Sequence, residues 1–258
     1  MILDIHLEWC DDKGERLKKI AEAGKSFNIS LVPVLLLPEH GVFKNRVYPN
    51  NYYYNKDIVS FLKIIPRDYP HVTFGQQGFS HYCPDCYNTE IKTNTKNGRK
   101  FSRDPWHENR CLYNPTLSFG EQTVFMARGK EIIEDKVGIS PIMYVPPNYQ
   151  YDKNTKIAAE HSGFEYFATK GLINIPPYTE VIEDGKLKVL PERKLGQEGE
   201  IFYTHYDKMK DNFDKYLEII NSSDSLSMIW FQEKPIVHAP LNEKLIFMSK
   251  IVRDKGLR

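Results

Sequence analysis

Short apolar runs alternate with longer amphipathic ones along this chain. That alternation is the signature of βα units feeding a mainly parallel sheet or barrel. Ile2–Leu7 opens as a strand, and Leu17, Ile20, Ala21 and Ala23 then recur at helical spacing in a helix expected from about Glu15 to Phe27. A second strand is expected over Ser30–Leu37, closed by the turn Pro38-Glu39-His40-Gly41. Tyr52 to Leu62 leads into a helix clearest from Asp57 to Ile65, and Val72–Gln76 reads as the third strand.

After His81 the periodicity stops. From Tyr82 to about Thr116 the chain is polar, an insertion (82–116) long enough to require local organisation of its own. Alternation returns with a helix near Phe119–Asp135, a strand at Ile142–Val145, a helix at Thr155–Ser162 and a strand at Glu165–Thr169. Glu180 to Val189, with Asp184-Gly185 at its centre, reads as a peripheral hairpin. Then follow a strand (Glu200–Tyr206), a helix (Asn212–Ile220), a strand (Leu226–Trp230), a short strand (Pro235–His238) and a final helix (Leu241–Arg253). About seven strands, each followed by a helix or an excursion, predict one α/β domain over 1–258 built on a mainly parallel sheet or barrel. Reactive groups in such a barrel gather where strands end. Asp11 and Asp12, Gln77 and His81, Pro146 and Pro147, and His238 all follow strands.

Composition narrows the partners. The 258 residues carry a net charge of +1, which gives no overall pull toward nucleic acid. The basic stretch Lys92 to Lys100 reads as a solvated loop. The most apolar run, Ile29 to Leu37, is too short to span a bilayer and contains Pro33. The first residues lack a basic start and a long apolar stretch, so a cytoplasmic location is expected, where the four cysteines would be thiols or metal ligands. The 16 Tyr and 14 Phe suit a groove for rings or sugars.

The chemistry centres on Glu8-Trp9-Cys10-Asp11-Asp12. Adjacent carboxylates at a strand end repel, and apolar surroundings disfavour their charges. A cation between them, or a proton that chemistry uses, makes the pair tolerable. The plainer reading is that one of them caps the next helix.

These segments, in their order, resemble the polysaccharide deacetylase (NodB-homology) family along nearly the whole chain. The twin-aspartate strand end is matched by Trp9-Cys10-Asp11-Asp12, and the His-x-x-x-His loop in part by Gln77-Gly78-Phe79-Ser80-His81. The aromatic-Arg-Pro-Pro segment is matched by Tyr144-Val145-Pro146-Pro147, and the closing Leu-x-His by Ile236-Val237-His238. The resemblance implies a distorted (β/α) barrel of the NodB type and, on it, a metal-dependent hydrolase of a carbohydrate C–N amide bond, an N-deacetylase of an amino sugar or glycan precursor. It assigns Asp11 as base, Asp12 and His81 as ligands of a divalent metal, zinc first, and His238 as acid. Tyr144, Pro146 and Pro147 would line the groove, for a small or lipid-linked carbohydrate.

Two departures matter. Gln77 replaces the first metal histidine, and an amide oxygen is a poor zinc ligand, so the metal would be weaker, harder or lost. Val145 replaces the arginine that pairs with the base, whose pKa should then sit higher. His6, Glu8 and His205 are the candidates for a substitute ligand, each more simply structural or solvated. The alternative function is a catalytically impaired relative that binds carbohydrate without turning it over.

The insertion holds a second constellation. Cys83, Cys86, His107 and Cys111 have the spacing of a tetrahedral structural zinc site, which would fold a segment lacking a core. A redox pair or two plain loop thiols are the competing readings of Cys83 and Cys86.

Overall fold

The computed structural model describes residues 3–8, 12–37, 42–43, 46–47, 56–81, 117–170, 178–180, 187–194 and 202–222. Asp11, His238, the cysteine constellation and the strands and helix expected beyond 222 lie outside the described residues.

Seven parallel strands form the frame: β1 (Leu3–Leu7), β2 (Phe27–Leu31), β5 (Val72–Gln77), β6 (Met143–Val145), β7 (Tyr166–Lys170), β9 (Leu187–Lys194) and β10 (Phe202–His205). Their order is β10-β1-β2-β5-β6-β7-β9, and β9 pairs in turn with β10, so the sheet curls back on itself as a distorted barrel. A two-stranded ribbon of β3 (Val42–Phe43) and β4 (Arg46–Val47) forms a separate small sheet.

The hairpin expected as peripheral is only half so. β8 (Tyr178–Glu180) runs antiparallel to β9, with Glu180 opposite Leu187 and Tyr178 opposite Val189. β9 itself is a frame strand: it pairs with β7 along Tyr166–Lys170 and with β10 at Arg193 and Lys194. Its first residues meet β8 and its last residues meet β10.

Among the described residues five α-helices accompany the strands: α1 (Glu15–Glu22), α2 (Lys56–Asp68), α3 (Phe119–Val137), α4 (Lys153–His161) and α5 (Phe213–Ser222). The first helix is shorter than its periodicity predicts, because Gly24 takes a left-handed φ of 70° and Phe27 already belongs to β2. The second strand likewise ends early, since Pro33 starts a 3-10 turn over Pro33–Leu36; proline's fixed φ suits a helix start and its missing N–H suits no central strand. Ser118 and Glu121 form a reciprocal capping box at the start of α3, and Gly138 ends it at φ 89°.

Strand alternation sorts the side chains into two layers. Leu3, Ile5 and Leu7 of β1, Phe27, Ile29 and Leu31 of β2, and Val72 and Phe74 of β5 join Leu17, Ile20 and Ala21 of α1 in the outer core. Full burial of each Leu, Ile, Val or Phe among them contributes about 1.5–3 kcal/mol. The residues between them face the opposite way, into the barrel. On β1 these are Asp4, His6 and then Glu8, a polar row where a parallel strand buried on both faces would ordinarily be apolar.

Candidate metal centre at the strand ends

Asp4 is the base of the polar interior. Its Oδ1 accepts from Asn28 Nδ2 at 2.9 Å and Ser30 Oγ at 2.8 Å, and Asn28 Oδ1 accepts from Thr73 Oγ1 at 3.0 Å. Gly75 leaves room for this network, since a Cβ there would stand 2.8 Å from Ser30 Oγ and 2.9 Å from Asn28 Nδ2. Asp4 Oδ2 lies 3.0 Å from His6 Nε2. A carboxylate oxygen accepts, so Nε2 donates, and in the neutral ring Nδ1 keeps a lone pair 3.2 Å from Gln77 Nε2.

The strand ends supply the rest. Glu8 follows β1, Gln77 ends β5 and His205 ends β10, where it stands in register with His6 at a ring separation of 5.3 Å. His81 is brought back by a tight turn. Gly78 N donates to Val145 O at 3.1 Å, Val34 N donates to Phe79 O at 3.3 Å, and the buried Phe79 ring stacks on Phe125. His81 itself adopts φ 67°, a left-handed conformation that costs a non-glycine residue of order 1 kcal/mol or more and is held by its surroundings. The strain aims its ring at Glu8.

Glu8 Oε1 is the hub. It lies 3.3 Å from His81 Nε2, 3.3 Å from His205 Nδ1 and 2.8 Å from Gln77 Nε2. Burial pushes the Glu8 carboxyl up, but the charges and hydrogen bonds of His81 and His205 outweigh it and hold the group well below the usual carboxylate range. His6, Glu8 and His205 each offer a ligand atom, and the three atoms lie within 4.8 Å of one another. Two imidazoles and a carboxylate are a donor set for a divalent transition metal. Asp4 behind His6 is the outer carboxylate that fixes a ligand histidine's tautomer. The residues present fit a metal ion.

Of the residues singled out from sequence, His81 and Gln77 enter this cluster, and its three ligand groups are the candidates weighed as substitute ligands, His6, Glu8 and His205. Asp12 is placed otherwise: its carboxylate accepts from Arg16 Nε at 2.7 Å, Gly14 N at 3.0 Å and the Tyr206 hydroxyl. Arg16 also donates to Tyr206 O at 3.0 Å and sits over its ring. Burial raises the Asp12 carboxyl, and the hydrogen bonds from Tyr206, Arg16 and Gly14 bring it below its ordinary value. Asp12 thus ties the start of α1 to the segment after β10, close to the capping role weighed from sequence.

Tyr144, expected in the groove, is instead buried between the barrel and its helices, against Phe164 and Phe167. Strand alternation requires this, because its neighbours Met143 and Val145 face the interior with Tyr166, Ala168 and Leu190. Pro146 and Pro147 are buried in the turn after β6. That turn delivers a residue the sequence did not single out, Tyr149, whose φ of 53° sets its ring 6.4 Å from His6. Asp4 was also missed. The signal available was the stripe Asp4-x-His6-x-Glu8 in an otherwise apolar strand.

No protein-family model matches the chain, and no curated protein matches it in sequence. Solved structures match it in shape. A "putative polysaccharide deacetylase" from Mycobacterium smegmatis aligns over 95% of this chain and 78% of its own, with 13% identity and a TM-score of 0.51. A 4-alpha-glucanotransferase from Thermococcus litoralis aligns over 86% of this chain and 38% of its own, with 11% identity and a TM-score of 0.52. A de-N-acetylase from Aggregatibacter actinomycetemcomitans aligns less well, over 81% of this chain and 73% of its own, at 13% identity and a TM-score of 0.46. The resemblance to polysaccharide deacetylases therefore extends from motif order to fold. The same scaffold carries a glucanotransferase, so the fold does not choose the chemistry.

Proposed function

We propose that the protein is a metal-dependent hydrolase that removes an acyl group from the nitrogen of an amino sugar or glycan precursor. The observation carrying this reading is the convergence of His6, Glu8 and His205 at the strand ends of a barrel shared in shape with a polysaccharide deacetylase. In this reading His6, Glu8 and His205 hold a divalent cation, with His81 beside them. Such an ion supplies Lewis acidity, polarising an acyl carbonyl and acidifying water.

The chain's own groups handle protons and position. Asp11 takes the proton of the attacking water, which adds to the acyl carbon. As the C–N bond breaks, His238 gives its proton to the departing amine. Tyr149 supplies an aromatic wall beside His6, suited to the apolar face of a sugar ring. The substrate is a small or lipid-linked carbohydrate in the cytoplasm. Among the described residues no helix is long and apolar enough to cross a membrane. The zinc site of Cys83, Cys86, His107 and Cys111 remains part of the proposal as a staple of the 82–116 insertion.

A second reading, carbohydrate binding without turnover, draws on Gln77 and Val145, which replace an imidazole and a guanidinium of the family pattern. Amine release from a panel of N-acylated sugars, with and without chelator, separates the two. Release that is abolished by chelator and by Asp11→Ala supports the hydrolase. Binding of the same sugars without release supports the alternative.

A further inference from the structure

The side chain of Gln77 is out of balance with its surroundings. Its Nε2 has three close neighbours: Glu8 Oε1 at 2.8 Å, His81 Nε2 at 3.0 Å and His6 Nδ1 at 3.2 Å. An amide nitrogen carries two hydrogens, so it cannot donate to all three. If His81 Nε2 bears its proton toward Glu8, it faces the amide N–H donor to donor. If it does not, three lone pairs compete for two hydrogens. At the other end, Gln77 Oε1 is buried and makes no hydrogen bond among the described residues. A buried unpaired carbonyl costs about 1–3 kcal/mol.

Turning the amide over would be worse in the chain alone, because Oε1 would then face the Glu8 carboxylate and the His6 Nδ1 lone pair. With a cation between those groups the order reverses. The cation takes up the lone pairs, the amide oxygen becomes a fourth donor, and the hydrogens leave a place where nothing positive is needed.

We propose that the Gln77 amide is an exchangeable stand-in for the metal: its NH₂ fills the donor cluster in the metal-free chain, and it turns over to present Oε1 when the ion enters. This rests on the metal centre proposed above and adds a control to it. The ion must displace a charge-assisted hydrogen bond to Glu8, so the site binds metal more weakly than its histidines and carboxylate alone would. The oxygen donor shifts its preference toward harder divalent ions.

The test uses the full ¹⁵N-labelled chain titrated with zinc chloride, following the Gln77 side-chain amide pair, which is assigned by its loss in Gln77→Met. Without metal the pair is shielded from solvent exchange. At saturation it moves, its hydrogens having taken the buried place of Oε1. In parallel, calorimetry on Gln77→Glu gives zinc binding at least about tenfold tighter than wild type, a change of the size that neighbouring-shell substitutions produce. The metal-free Gln77→Glu chain melts below wild type, because two carboxylates then face each other. An unmoved amide pair at saturation, or equal affinity in wild type and Gln77→Glu, overturns the stand-in, provided His6→Ala abolishes the same binding event. A zinc titration identical in wild type and His6→Ala removes the metal centre itself, and the stand-in with it.

Discussion

The two sides of the barrel interior could hardly differ more. Along β10, β1, β2 and β5 it is lined by His205, Asp4, His6, Glu8, Asn28, Ser30, Thr73 and Gln77. Along β6, β7 and β9 it is lined by Met143, Val145, Tyr166, Ala168 and Leu190. Both sides are buried and both are parallel sheet. The apolar side gains stability from burial alone. The polar side forgoes that gain and must satisfy the groups it buries; a chain of hydrogen bonds running from Thr73 through Asn28 and Asp4 to His6 serves those residues, and Gln77 Oε1 is left without one among the described residues. A barrel that needed only to fold would be apolar all round, so the polar side is where function is to be sought.

The sharpest way to break the contrast is to remove the hub. Glu8→Gln keeps the shape but loses the anion shared by His81, His205 and Gln77. Deacetylation should fall below detection and rim metal should be lost, measured by amine release and metal content. Asp4→Asn acts one step back. It should weaken metal binding about 10–100-fold by calorimetry, with His6 no longer held in one tautomer. On the apolar side the readouts exchange places. Leu190→Ala should cost about 2–5 kcal/mol in denaturant unfolding while leaving metal affinity unchanged.

A smaller effect belongs to the clamp outside both regions. Asp12 has a lowered pKa in the folded chain, so its contribution is present above the unfolded value of about 3.9 and is lost as pH falls through the folded value. Asp12→Asn should therefore melt below wild type at neutral pH, and the gap should close in acid below about pH 4. A gap that widens in acid would reverse the sign of this account.

The same contrast explains what could be read from the sequence. The apolar strands β1, β5, β6, β7 and β10 were legible because each is a short hydrophobic run between turns. Their pairing was not, because β9 finds β7 and β10 only in three dimensions, and a hairpin pattern discloses just its antiparallel partner β8. His81 and Gln77 were legible as strand-end groups in a recognisable order. The weight given to Asp12 followed from adjacency of two carboxylates, whereas an Arg16 one turn later and a Tyr206 far along the chain decide its place. His6, Glu8 and His205 were legible as candidate substitute ligands, but their convergence was not, and Asp4 was missed, because alternate polar positions on a strand read first as a face of a sheet.

Metal content of purified Glu8→Gln and Asp12→Asn chains, set against wild type by mass spectrometry, tests the central claim most directly. The account predicts that Glu8→Gln loses one metal per chain and Asp12→Asn loses none. Loss in Asp12→Asn with full retention in Glu8→Gln would contradict it.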